Sequence, residues 1–284
     1  MGFTGAAILR GMEINAIPSP KLLSLLFDFP VPAAFVTVMK AFWEVSRDSG
    51  ESVEHLLDDL CGFYPDGEDA RYQQTPPELF PIGRPGADGI HYGYVIHAPE
   101  RVAEDYPMGE LCPMDLDGVI SLGRNTREAF ETLLSNPTRL DSERIAKLSE
   151  QVALKLGYEL SEEKADLQFA ASPDGELVIP QILGHERHVM TADGIGVLAD
   201  RQLFRPDNLN RTCERMDEFL EQSRIHLEEG FPASALVHLR EGYWEHWTED
   251  GAISRFGDLM RQAYEALGRP LLADLVQRRT RKYA

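Results

Sequence analysis

The sequence predicts an α+β fold: a central, mainly antiparallel sheet flanked by helices, with a C-terminal unit of α-helical hairpins. Three observations support this prediction. Amphipathic helical patterns come first, short apolar stretches of period two separated by turn residues follow, and the pattern is purely helical from Asn208 onward. A chain of 284 residues is long for one compact domain. Length alone suggests two units, and the changes of pattern along the chain divide it into residues 1–136, 137–207 and 208–284.

The N-terminal part reads as three helices. Residues 18–29 form a leucine-rich amphipathic pattern that Pro30 ends, and Ala33–Ser46 forms a second, mostly buried pattern. Ser52–Leu60 begins with a serine suited to an N-cap and has an apolar face. Residues 62–77 are acidic and contain prolines, which predicts a loop.

The sheet is predicted from residues 75–97, which read TPPELFPIGRPGADGIHYGYVIH. Leu79–Ile82 is a strand candidate, and Gly86–Gly89 supplies a turn. Ile90–His97 then alternates apolar or aromatic residues with others, which is the period of a strand. A third strand is expected at Val119–Leu122, after the turn Asp115-Leu116-Asp117-Gly118.

Two helices and a second β-rich stretch follow. Asn125 or Thr126 caps a helix that runs to about Leu134, and residues 141–156 form a further amphipathic helix. The next strand candidates are Leu167–Ala171, Glu176–Leu183, Val189–Met190 and Ile195–Leu198. A Pro173-Asp174-Gly175 turn separates the first two of them. The pattern leaves open whether these strands extend the first sheet or form a cap.

The C-terminal unit is predicted to contain four helices, at about 208–229, 232–247, 252–267 and 270–282. Gly230-Phe231-Pro232 and Gly268-Arg269-Pro270 occupy equivalent positions, each ending one helix and starting the next. The offset of these motifs is near that of tetratricopeptide repeats, which the unit weakly resembles. Two hairpins are too few for a self-sufficient solenoid, so we expect them to pack on the α+β domain.

A family resemblance rests on two segments, ELFPIG…GADGIHYGYVIH and YPMGELCPMDLDGVISLGRNTREAFETLL. They resemble the SUKH superfamily, bacterial relatives of the fungal cell-wall synthesis regulator, over about residues 20–136. The matching parts are Leu79–Ile82, Gly86–Ile96, Met114–Leu122 and Thr126–Leu134. The resemblance implies an α+β fold and a non-enzymatic role, because many bacterial members look like immunity proteins that neutralise toxins, often nucleases.

The charge of the chain is strongly acidic and uneven. The formal net charge is −19, and residues 1–207 carry −17 of it. Residues 48–70 contain eight Asp or Glu and neither Lys nor Arg. Such a face repels phosphate backbones, so direct nucleic-acid binding is disfavoured, while a basic protein would be attracted. The alternative is a solvated surface that only aids solubility.

A candidate contact surface combines this acidic segment with the strand after the glycine-rich turn. Its residues are Asp58, Asp59, Asp66, Glu68, Asp69, Asp88, His91, Tyr92, Tyr94 and His97. His91 and His97 share one face of the predicted strand, opposite Tyr92 and Tyr94. The two histidines could serve proton transfer or ligand binding, a binding surface, or ordinary structural hydrogen bonding. They have no nucleophile at a readable spacing.

No metal or cofactor site is expected. In His185-Glu186-Arg187-His188 the histidines are three apart, whereas a zincin helix requires four, and the flanking residues suggest strand and loop. Asp115, Asp117 and Gly118 lack the remaining ligands of a calcium loop. The three cysteines are far apart and read as free thiols. With neither an export pattern nor an apolar run long enough for a bilayer, we expect a cytoplasmic protein without membrane contact.

The leading hypothesis is a non-enzymatic protein-binding module, an immunity-type inhibitor of a basic toxin domain. One alternative is a regulatory or scaffolding protein whose helical hairpins hold a partner peptide. A third hypothesis is a small-molecule-binding protein or hydrolase built around His91 and His97.

Overall fold

The computed structural model describes residues 18–62, 64–66, 71–85, 89–101, 103–114, 117–135, 143–161, 182–206 and 213–284. Within these residues the chain has a five-stranded antiparallel sheet, a two-stranded sheet and nine α-helices. The predicted α+β class with C-terminal helices is therefore confirmed.

The helices are α1 (Pro20–Phe27), α2 (Ala33–Ser49), α3 (Val53–Cys61), α4 (Thr126–Leu134), α5 (Glu143–Leu156), α6 (Met216–Glu228), α7 (Pro232–His246), α8 (Ala252–Ala266) and α9 (Pro270–Tyr283). The strands are β1 (Tyr64–Pro65), β2 (Leu79–Arg84), β3 (His91–Val95), β4 (Met108–Leu111), β5 (Val119–Gly123), β6 (Glu186–Val189) and β7 (Val197–Asp200). No helix in the described ranges combines the length and the apolar character that crossing a membrane requires.

Local sequence signals set the ends of the N-terminal helices. The Ser52 hydroxyl accepts a hydrogen bond from the His55 amide at 3.1 Å, which caps α3 as predicted. Gly50 and Gly62 end α2 and α3 in the left-handed conformation, with φ of 80° and 70°. The chain therefore changes direction after α2 and again after α3, and it then enters the sheet at β1.

The five-stranded sheet is a meander in the order β1-β2-β3-β4-β5. Each strand pairs antiparallel with its neighbour in sequence, for example Phe80 opposite Tyr94 and Tyr92 opposite Glu110. Two of these strands were not predicted. β1 has two residues inside the expected acidic loop, and β4 (MGEL) is too short to show an alternating pattern.

Both faces of the sheet are covered. On one face Phe80 and Tyr94 pack against the aromatic residues of α1, α2 and α4, with Phe35 and Tyr94 rings 5.8 Å apart. On the other face a smaller apolar cluster contacts Trp244 of α7; its members are Leu79, Val95, Leu111, Val119 and Ile195. The sheet is thus the middle layer between the N-terminal helices and the C-terminal unit.

The strands β6 and β7 form a separate hairpin and do not extend the first sheet. The hairpin docks on that sheet through the Val119 amide, which donates to the Asp193 carbonyl at 2.8 Å. The approach is close enough to require glycine, because a Cβ on Gly194 would lie 2.5 Å from the Val119 carbonyl oxygen. The predicted strand 167–171 and turn 173–175 lie outside the described residues, and 182–183 are not strand.

The C-terminal unit consists of consecutive antiparallel helices, as predicted. The two equivalent glycine motifs have the same geometry: Gly230 and Gly268 have φ of 82° and 70°. In both, the next residue's amide donates back to a carbonyl five residues earlier at 2.8 Å, Phe231 to His226 and Arg269 to Tyr264. This is a Schellman-type helix end followed by proline at the first turn of the next helix.

Candidate functional site

Helix α3 and strand β1 place two of the predicted acidic residues and a neighbouring tyrosine on one surface. Asp58 and Asp59 lie partly exposed on α3, and the Gly62 turn brings Tyr64 alongside them. The Tyr64 ring is 44% exposed, and its hydroxyl hydrogen-bonds the Asp58 carboxylate. This hydrogen bond and the negative charge of Asp58 raise the pKa of Tyr64, so the phenol keeps its proton near neutral pH.

The acidic residues lie on α2, on α3 and on the turn between them, and α5 packs beside both helices. α5 contacts both α2 and α3, which joins Asp48 and Glu51 to Asp59 in one continuous surface. Between α2 and α5 lies an open groove of about 420 Å³ that Asp48, Leu148, Leu154 and other side chains line. The Leu154 side chain is exposed at 83% of its area. We call this region the acidic surface: Asp48, Glu51, Asp58, Asp59, Tyr64, Asp66 and Leu154.

The acidic surface carries less uncompensated negative charge than residues 48–70 alone predict, because other segments contribute cations. Arg84 pairs with Asp66 at 2.9 Å, and Arg144 pairs with Glu51 at 2.5 Å and Asp59 at 3.8 Å. Lys155 lies 3.8 Å from Asp48. These cations come from β2 and α5, so composition along the chain could not show them. Glu68, Asp69 and Asp88, also predicted to touch a partner, lie outside the described residues.

A second expectation, that strand β3 contributes to the contact surface, is wrong, because neither face of the strand is exposed. Tyr92 and Tyr94 are 3% and 0% exposed within the main core, and His91 and His97 are 0% and 4% exposed. Side chains this deeply buried do not form a contact surface in the folded chain. The predicted alternation is present, but the C-terminal unit covers the face of the sheet opposite Tyr92 and Tyr94.

His91 has the environment of a structural histidine. Its Nδ1 lies 2.9 Å from the Gly89 carbonyl oxygen and its Nε2 lies 3.0 Å from the Thr75 hydroxyl. A carbonyl only accepts, so Nδ1 carries the proton and Nε2 accepts from Thr75 in the neutral ring. Burial lowers the pKa of His91 to about 4, although the hydrogen bond to Gly89 opposes the shift. The ring is therefore neutral near pH 7.

His97 is separate from His91 in both distance and surroundings. Strand β3 ends at Val95, roughly 13 Å from His91, and His97 lies two residues beyond it, so the two imidazoles do not converge on one small substrate. The His97 ring contacts His188 edge-on, with centroids 5.4 Å apart. Neither His97 nitrogen has a hydrogen-bond partner among the described residues. Burial, followed by the proximity of His188, Arg269 and Arg240, lowers the pKa of His97 well below its usual value.

A buried ionic cluster was missed by the sequence reasoning. Arg240 of α7 pairs with Glu78 at 2.9 Å and with Asp193 at 2.5 Å, and all three side chains are at most 6% exposed. The Tyr264 hydroxyl donates to the same Glu78 carboxylate at 2.7 Å. One signal for it exists in the sequence: α7 is apolar on all sides (PASALVHLREGYW), so a buried arginine there requires a buried anion.

The segment His185–His188, which was expected to be strand and loop and not a metal-binding helix, is not helical. His185 precedes β6, whereas Glu186 and His188 belong to the strand, so the geometry of a zincin is excluded for this segment. His188 turns inward, and its Nε2 lies 2.8 Å from the Ile195 carbonyl oxygen.

Comparison with known proteins gives no further constraint: the sequence matches no protein-family model and no curated protein.

Proposed function

We propose that the chain is a non-enzymatic protein-binding module that recognises a basic protein through its acidic surface. The observation that carries the proposal is an exposed aromatic residue, Tyr64, hydrogen-bonded to Asp58 within an acidic region that continues to the exposed Leu154. Tyrosine is enriched at protein interfaces and among the residues that contribute most of the binding energy. A net charge of −17 on residues 1–207 would steer a basic partner toward this region.

The resemblance to the SUKH superfamily supplies the class of partner for this proposal. The partner is then a toxin domain, and the activity is stoichiometric inhibition. The histidines on which a hydrolase would depend, His91 and His97, are buried and apart, which favours binding over catalysis. The scaffold alternative has less support, because one face of the hairpins packs on the sheet through Trp244.

The first experiment is capture of partners from the native cell lysate on the tagged full chain, at low and high salt, with identification by mass spectrometry. We expect one basic protein that elutes as the salt concentration rises. Association of that purified protein is then measured with the double variant Asp58→Lys/Asp59→Lys and with Tyr64→Ala. Loss of steering should slow association of the double variant by of order tenfold and flatten its salt dependence.

The matched control is Asp250→Lys/Asp258→Lys, which changes the net charge equally at exposed positions of the C-terminal unit. Circular dichroism establishes that every variant is folded. Equal effects of the two double variants would reject the acidic surface as the contact site. A partner that resists high salt and binds both double variants normally would instead favour the scaffold.

A further inference from the structure

A group of possible metal ligands lies at the open end of the β6–β7 hairpin. His185, Glu186 and Asp200 each place one ligand atom within 4.8 Å of the other two. Glu186 and Asp200 are directly opposite in the antiparallel ladder, and His185 is the residue before Glu186. The His185 Nε2 atom lies 3.3 Å from an Asp200 carboxylate oxygen.

The register creates an electrostatic problem at this point. Two carboxylates directly opposite on neighbouring strands repel each other. Arg101 compensates one of them by donating to Glu186, whose side chain is 1% exposed.

We propose that His185, Glu186 and Asp200 form a binding site for a divalent transition-metal ion of the zinc type. An imidazole nitrogen with two carboxylate oxygens suits zinc and its neighbours, whereas magnesium and calcium prefer oxygen ligands alone. Three protein ligands leave the fourth position of a tetrahedral ion for water. One divalent ion would neutralise both opposed carboxylates, which a single arginine cannot do.

Arg101 is the competitor for this site. Its side chain is 46% exposed, so it can move into solvent when an ion takes the Glu186 oxygen it holds. The other Glu186 oxygen accepts from the Leu183 amide at 2.9 Å and stays in place. The metal therefore exchanges with a surface arginine without rearranging the strand.

Metal binding would stabilise the open end of the hairpin. A two-stranded hairpin is marginally stable alone. The Arg240–Asp193 pair lies at the closed end of this hairpin, and Arg101 pairs with Glu186 at the open end. A metal ion would clamp β6 to β7 at that end.

The test is isothermal titration of the full chain with zinc chloride, with cobalt chloride as a spectroscopic probe of the ligand set. We expect His185→Ala and Asp200→Asn to weaken zinc binding at least tenfold, since loss of a group that merely orients a ligand costs roughly 10–100-fold. Zinc should raise the melting temperature of the wild type and not that of His185→Ala. His55→Ala, which removes an exposed histidine from α3, is the matched control and should bind normally.

Arg101→Gln separates a metal site from a purely structural ion pair. Removal of the competing cation should tighten zinc binding several-fold if the ion takes the Glu186 oxygen. Weaker binding in Arg101→Gln, equal binding in His185→Ala and His55→Ala, or no binding by the wild type at millimolar zinc would each overturn the proposal.

Discussion

Arg240 of helix α7 donates to Glu78, the residue before strand β2, at 2.9 Å, and neither side chain exceeds 1% exposure. This contact fastens the C-terminal unit to the central sheet. Burial alone would lower the pKa of Arg240, but Asp193 and Glu78 raise it on balance, so the guanidinium is charged. Two buried carboxylates depend on this one cation.

Replacement of Arg240 by methionine should therefore be strongly destabilising. The variant keeps similar volume but leaves Glu78 and Asp193 buried without a counterion, which costs about 3–5 kcal/mol of unfolding free energy. Urea denaturation followed by circular dichroism measures the change. Arg255→Met, which breaks an exposed pair with Asp217, is the control and should cost less than about 1 kcal/mol. Equal effects of the two variants would contradict the assigned role.

Removal of residues 208–284 should cost the remaining chain its cooperative unfolding. The deletion uncovers the apolar cluster under Trp244 and leaves Glu78 without Arg240 and Tyr264. Differential scanning calorimetry should show a broadened or missing transition for residues 1–207, with increased binding of a hydrophobic dye. A sharp transition at the temperature of the full chain would show that the N-terminal part is an independent domain. The predicted limits at 136 and 207 stay a prediction until then.

Stability should fall in acid because of His91. The folded pKa of about 4 is below the usual 6.5, so the unfolded chain binds more protons between these values. Stability is then complete above pH 6.5 and decreases as the pH falls toward 4, by about 3 kcal/mol for this group. Urea titrations of the wild type and of His91→Gln across this range measure the effect.

His91→Gln should show a shallower pH dependence than the wild type, whatever its stability at pH 7. His55→Gln, at an exposed position, should keep the wild-type slope. The slope that remains in His91→Gln comes from the other groups with lowered pKa values, such as the buried His97 and the carboxylate of Glu128. Identical slopes in wild type and His91→Gln would disprove the neutral, buried state of this ring.

Gly194→Ala should loosen the β6–β7 hairpin from the sheet. Gly194 has φ of 81°, and a Cβ there would lie 2.5 Å from the Val119 carbonyl oxygen. The left-handed backbone alone costs roughly 1–2 kcal/mol for a non-glycine residue, and the contact adds to it. Hydrogen exchange should show faster exchange at the Val119 amide. Gly184→Ala, with nothing within 4 Å of its Cβ, should leave that exchange unchanged.

Local signals in the sequence were sufficient for most helices. The helix Thr126–Leu134 has the predicted ends, because Asn125 accepts from the Glu128 amide as an N-cap does. Strand β4 was missed because four residues with a glycine give no periodic signal. Its position follows only from pairing with β3 and β5, which is tertiary information.

The candidate site could be predicted less well than the fold. A period of two assigns His91 and Tyr92 to opposite faces of a strand, but it does not say what covers each face. Here distant helices cover one of them, so residues expected at the surface are in the interior. The ion pairs of Arg84 and Arg144 could not be predicted from the sequence either. Each arginine pairs with a carboxylate that is distant in sequence and outside its own helix or strand.

The buried Tyr264–Glu78 contact also bears on how the chain acquires its structure during synthesis. Tyr264 follows Glu78 by 186 residues. At translation rates of roughly 5–20 residues per second, Glu78 is synthesised roughly ten to forty seconds before Tyr264. During that interval a charged carboxylate and an apolar face are open to water and to other nascent chains. Slow translation would lengthen this exposure. We therefore expect the yield of native protein to depend on chaperones that bind the sheet before the C-terminal helices cover it.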